Sequence, residues 1–200
     1  MVDHGNTVGS PPILYRGDPV TTDAKAEASV YRRGQHAGSY LPQKKHMDFA
    51  SYVSGFVDGE GCFSVSFNLR AKLKTGIEVR PSFSIGQNER SLKLLRAIEQ
   101  FFGCGSIRYS SRDACYRYET RDIRELMRKI LPHFEKFPLQ SDKAKDFKIF
   151  RDICERMTMA KHLNPKHLRQ IIHLAYRMNG SGKRKYTEAE LLRVLDKMKI

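Results

Sequence analysis

From Asp48 onward the chain carries apolar residues at helical spacing. Phe49, Tyr52, Val53 and Phe56 fall at i, i+3, i+4 and i+7, which predicts one apolar face of a short helix. On a second stripe of the same segment Ser51, Gly55 and Gly59 recur every four residues. The period then drops to two: Phe63, Val65, Phe67 and Leu69 alternate with Ser64, Ser66, Asn68 and Arg70. After a turn near residues 74–76, a second strand over about 77–86 sets Val79, Phe83 and Ile85 against Arg80, Ser82 and Ser84. This is an antiparallel hairpin with one face on a core and one face polar. Leu92, Leu95, Ile98 and Phe101 predict the next helix, ended by Gly103. Short strands follow near 106–110 and 116–120, then a helix along Ile123, Leu126, Met127, Ile130 and Leu131 that Pro132 should stop.

Three more helices complete the pattern. One runs from about Lys143 to Met157. Another starts at Asn164 with Pro165 in its first position, and the last at the capping box Thr187-x-x-Glu190. Helices following a split antiparallel sheet mean α+β. Residues 1–46 lack this periodicity and are rich in Gly, Pro, Ser, Thr and Ala, so a flexible arm precedes a domain over 47–200.

Charge narrows the function. The chain has 36 Lys+Arg against 22 Asp+Glu, a formal +14, and the arm accounts for only +2 of it. A folded part this basic points to a polyanionic partner. No apolar run reaches the roughly 20 residues of a membrane span, and no secretory signal opens the chain, so the expectation is an intracellular protein without a membrane partner. Cys62, Cys104, Cys115 and Cys154 are too scattered for a zinc cage and read as reduced thiols.

The segment with chemical content is Gly55-Phe56-Val57-Asp58-Gly59-Glu60-Gly61, where two carboxylates stand at a joint between helix and strand. Carboxylate and carbonyl oxygens suit a hard divalent cation. In its context of helix, two strands, helix, two strands, helix, the segment closely resembles the LAGLIDADG homing endonucleases, in the single-motif, homodimeric, intron-encoded branch. The resemblance covers about residues 47–197. It implies a saddle-shaped sheet in the DNA major groove and a divalent metal, Mg²⁺ or Mn²⁺, held by Glu60, with the Gly59 carbonyl and then Asp58 behind it. It also implies a polar residue near the reaction at Gln87 and a basic one after Pro138-Leu139. There this chain has Asp142 where family members have lysine, which leaves Lys143, with Lys145 as fallback.

Strand alternation predicts the DNA surface: Ser64, Ser66, Asn68, Arg70, Arg80, Ser82 and Ser84 from the first hairpin, and Arg108, Ser110, Arg117 and Glu119 from the second. Lys183, Arg184 and Lys185 resemble the family's backbone-clamping tail segment. Double-strand scission needs two active acids, and one motif supplies one. The expectation is a homodimer, joined along Ser51, Gly55 and Gly59, on a long near-palindromic site. The resemblance leaves open two other functions: a maturase binding intron RNA, and a DNA-binding regulator that does not cleave.

Overall fold

The computed structural model of the chain describes residues 48–180 and 182–197. The arm expected over 1–46 lies outside the described residues. Helix α1 (Phe49–Glu60) runs directly into strand β1 (Gly61–Leu69), which turns back into β2 (Ile77–Gln87). Then come α2 (Leu92–Phe102), β3 (Ser106–Ser110) and β4 (Cys115–Thr120). Helix α3 (Ile123–Glu125) continues through a π-helical turn at Leu126–Ile130 into α4 (Leu131–Lys136). Helices α5 (Lys143–Thr158), α6 (Pro165–Tyr176) and α7 (Glu188–Lys197) follow. The strands form one antiparallel sheet in the order β1-β2-β4-β3, so the fold is α+β as expected.

Alternation along β1 and β2 puts Phe63, Val65, Phe67, Val79, Phe83 and Ile85 in the core. Phe63 is the hub: its ring centroid lies 5.1–5.3 Å from those of Phe83, Phe134, Phe147 and Phe150. That joins β1, β2, α4 and α5, and truncating such a ring typically costs about 3–5 kcal/mol. Pro81 sits inside β2 opposite Val65, yet β2 pairs with β4 only from Phe83 onward. Its missing N–H therefore interrupts no ladder bond.

Local capping signals hold. Asn164 accepts from the Lys166 and His167 amides at the start of α6, and Thr187 and Glu190 exchange bonds before α7. Two expectations fail. Pro132 does not stop its helix: the chain stays helical to Lys136, and the π turn just before Pro132 widens the backbone where a missing N–H and a ring must fit. The core side of α1 is Ala50, Val53, Ser54 and Val57, while Phe49 is 37% exposed. Phe49, Tyr52 and Phe56 instead stack along its flank, with centroids 5.8 and 6.1 Å apart.

The segment after α6 is tied to β1, one of the two edge strands. Asn179 donates from Nδ2 to the Phe63 carbonyl at 2.7 Å, and Arg184 donates to the Val65 carbonyl at 3.1 Å.

Candidate metal centre and nucleic-acid interface

Helix α1 ends where its motif ends. Gly61 is extended, and a Cβ there would meet Val57 Cγ1 at 2.5 Å and the Val57 carbonyl at 2.9 Å, so only glycine lets the strand leave at this angle. This exit leaves Glu60 exposed at the helix C-terminus, next to the end of β2. Gln87, the last residue of β2, donates from Nε2 to Glu60 Oε2 at 3.1 Å.

The final carbonyls of a helix have no partners within it. Lys143, at the first position of α5, supplies one for Gly59: its ammonium donates to that carbonyl at 3.2 Å and also to the Val57 carbonyl at 2.8 Å, which accepts from the Gly61 N–H as well. Burial pulls the pKa of this ammonium below its ordinary value, against the opposing charges of Asp58 and Glu60. Lys145, the fallback, is instead paired with Asp142 at 2.6 Å on the exposed side of α5. Of the two lysines, only Lys143 meets the motif.

Asp58, expected as a further metal ligand, is committed elsewhere. Its carboxylate accepts from the Gln140 amide at 2.7 Å, and from the Ser141 amide at 3.0 Å and hydroxyl at 2.6 Å. Burial works to raise this carboxyl, but the Ser141 and Gln140 bonds and the Lys143 charge outweigh it and hold it below the ordinary value. Asp58 thus anchors the loop that delivers Lys143. Nothing nearby in sequence announces a bond spanning more than 80 residues.

The polar sheet face begins beside Glu60. Cross-strand register places Ser64 opposite Ser82, Ser66 opposite Arg80, Ser84 opposite Glu119, and Arg108 opposite Arg117. Arg108 and Arg117 are both exposed. Like charges directly opposite each other destabilise a sheet, so this pair is suited to an anionic partner. Ser110 sits at the end of β3 and donates to Asp113 at 3.1 Å. Ser82 departs from expectation: it is only 7% exposed, and its hydroxyl donates to Glu119 at 2.7 Å. Glu119 also pairs with Arg121 at 2.9 Å. Glu78 and Arg121 were not expected on this face, although both have the parity of their strand's polar positions.

A groove of about 740 Å³ lies between β1 and residues 179–180 and 182–186, and Ser64, Ser66, Lys183 and Lys185 are among its lining. Lys183 and Lys185 are exposed, as a phosphate contact requires. Arg184 is turned inward and corrects the expectation of a three-residue clamp. Besides Val65 it bonds the Ala175 and Met178 carbonyls, and its guanidinium lies 4.5 Å from the Tyr176 ring centroid. The stripe Ser51, Gly55 and Gly59 is exposed on α1, and no atom lies within 4 Å of where a Cβ on either glycine would be. It does not pack inside the described fold.

Known proteins resemble this chain in sequence and in fold. "Probable intron-encoded endonuclease 2" of Neurospora crassa is 33% identical over 123 residues, 61% of this chain and 27% of that protein. The chain spans between about a quarter and a half of the first curated relatives it matches. Among solved structures, the homing endonuclease I-TnaI is 37% identical with a TM-score of 0.66, covering 75% of this chain and 97% of that one. The archaeal intron-encoded homing endonuclease I-Vdi141I, solved in complex with DNA, is 30% identical with a TM-score of 0.69, covering 75% and 96%. The model of the LAGLIDADG endonuclease family matches residues 53–154, from inside α1 to inside α5, which is just over half of the sequence. With the acidic end of the motif helix, the split sheet and Lys143 all inside that span, the chain belongs to the LAGLIDADG endonuclease family.

Proposed function

We propose that this chain is a site-specific endonuclease that cleaves double-stranded DNA as a homodimer with a divalent cation, Mg²⁺ or Mn²⁺. The observation that carries the reading is the exposed Glu60 carboxylate, steadied by Gln87, at the inner end of a polar sheet face studded with arginines. The donors fit a small hard cation. Mg²⁺ is commonly held by one or two carboxylates, with water and substrate phosphate as its other ligands. No group of three or more His, Cys, Asp or Glu side chains gathers for a metal among the described residues, which agrees with a site completed by substrate and solvent. Asp58 is held by Gln140 and Ser141, so Glu60 is the principal anionic donor, and the neutral Gly59 carbonyl already accepts from Lys143.

A cation bound there supplies Lewis-acid charge to the scissile phosphate and the leaving oxygen. Gln87 orients the Glu60 carboxylate. Lys143 places a positive charge beside the same helix end, where negative charge grows on the phosphate in the transition state. Lys183 and Lys185 hold phosphates across the groove and add affinity without sequence information. The second acid comes from a second copy, whose α1 stripe packs on this one.

The test uses supercoiled plasmids carrying a pool of randomised inserts, incubated with protein and Mg²⁺ or Mn²⁺. Wild type should linearise a subset with near-palindromic inserts. Glu60→Gln should bind the same inserts and cut none. Cutting by the variant within a few-fold of wild type removes Glu60 from its role. A wild type that binds the inserts but linearises none overturns the nuclease reading.

A further inference from the structure

At the outer end of the β1–β2 hairpin, one carboxylate collects two guanidinium groups. Asn68 faces Glu78 across the hairpin, and Ser66 faces Arg80 in the next pair on the same side, so these polar residues share the sheet's open face. Arg70 Nε lies 2.9 Å from Glu78 Oε2, and Arg80 Nε lies 3.9 Å from the same oxygen. The Asn68 amide completes the group when oriented to satisfy its neighbours: its oxygen accepts from Arg80 at 3.1 Å and its nitrogen donates to the Phe67 carbonyl at 3.3 Å.

Folding explains little of this arrangement. The side chains of Arg70 and Arg80 are 56% and 41% exposed, and such open ion pairs contribute almost nothing to stability. Affinity for DNA explains it no better, because a carboxylate facing a polyanion repels it. What the carboxylate does is restrict two long, rotamer-rich side chains. An unrestrained arginine takes any phosphate within reach. Arg70, hydrogen-bonded to the carboxylate at its Nε, and Arg80, bonded through Nη1 to Asn68 with the carboxylate 3.9 Å away, present their remaining donors in fixed directions, which recognition of a guanine edge requires.

We propose that Glu78 is a specificity-determining positioning residue, which keeps Arg70 and Arg80 off the phosphates and directs them at base edges in the outer part of each half-site. This rests on the double-stranded DNA reading above. Asn68 is six residues along β1 from Cys62, the first polar-face residue after the Glu60 helix end. At about 3.3 Å per residue the cluster lies roughly 20 Å out, or about six base pairs at 3.4 Å each.

The experiment compares wild type, Glu78→Gln and Glu78→Asp in two measurements. One is affinity for a random-sequence duplex across a salt series, and the other is selection from a pool of randomised duplexes. Glu78→Gln should bind the random duplex about three- to tenfold tighter near 0.1 M salt, with a log–log salt slope steeper by about 1 to 2, because two freed arginines find phosphates. Its selected sequences should lose preference about six base pairs from the cleavage end and keep it elsewhere. Glu78→Asp keeps the charge but withdraws it from Arg70. It should leave random-duplex affinity near wild type and still blur the same outer positions. Melting temperatures should not differ among the three, which separates positioning from folding. Unchanged selection profiles in both variants, or weaker random-duplex binding by Glu78→Gln, would overturn the proposal while leaving the DNA reading intact. A wild type that binds no duplex at all would end both.

Discussion

His133 shows how much one side chain can be constrained. The Ser54 hydroxyl donates its single proton to the Phe137 carbonyl at 2.7 Å, so the 3.1 Å contact between Ser54 Oγ and His133 Nε2 has the imidazole as donor. The ring is neutral with its proton on Nε2. It lies between Phe101, Phe102, Phe134 and Phe137, and burial takes its pKa down to about 4, against a small opposing pull from Asp48. The unfolded chain protonates this histidine below about 6.5 and the folded chain only below about 4, so stability is full above 6.5 and falls as pH drops through that window. The loss is of order 2–3 kcal/mol. His133→Phe keeps an aromatic ring and leaves Ser54 bonded to Phe137. Thermal melting of this variant between pH 6.5 and 4 should be markedly flatter than wild type, and an equal decline would assign the pH dependence to other groups. Nothing in the local periodicity announces the burial of His133. The aromatic shell around it comes from α2, α4 and the loop beyond, which no single window of sequence contains.

At the scale of elements, the joint between α1 and β1 is the most demanding place in the fold. A methyl group at position 61 overlaps Val57, so Gly61→Ala must shift either the helix end or the strand start. The expected cost is about 1–3 kcal/mol in melting. A shift of about 1 Å at Glu60 should lower plasmid cleavage about 100-fold while duplex binding stays near wild type. Cleavage that falls only as far as the folded fraction would show the joint to be less rigid than this. The elements themselves were largely legible. Alternation in β1 and β2, the stop at Gly103 and the caps at Asn164 and Thr187 are local signals, and the structure follows them. Misread features arose where a local signal had two solutions or a distant partner decided. Helix α1 is apolar on two sides, and Val53 with Val57 won the core while Phe49 did not. Arg184 reads as one of three surface cations, until the carbonyls of β1 and α6 turn it inward. Within the site, the motif placed Glu60 and the Pro138-Leu139 stretch pointed to Lys143, but the tie from Asp58 to residues 140–141 is visible only in three dimensions.

For the molecule as a whole, the open stripe on α1 makes an unusual combination of effects expected. A Cβ at position 55 meets no atom beyond its own helix within 4 Å, and replacing a mid-helix glycine favours the helix by about 0.5–1 kcal/mol. The Gly55→Leu variant should therefore keep its fold, yet sediment as a monomer and lose double-strand cleavage, with any fall in melting temperature confined to concentrations at which wild type is dimeric. A Gly55→Leu protein that still dimerises and cuts would move the seam elsewhere. The same reasoning gives Asn179 and Arg184 a further meaning. A two-fold pair closes on itself, whereas the outer rim of a sheet can recruit copy after copy without end. At Phe63 and Val65 the outward carbonyls of β1 already have side-chain donors, so an incoming strand finds no register to extend there. The bonds that fasten the C-terminal segment thus also disfavour strand addition along the β1 edge of the sheet.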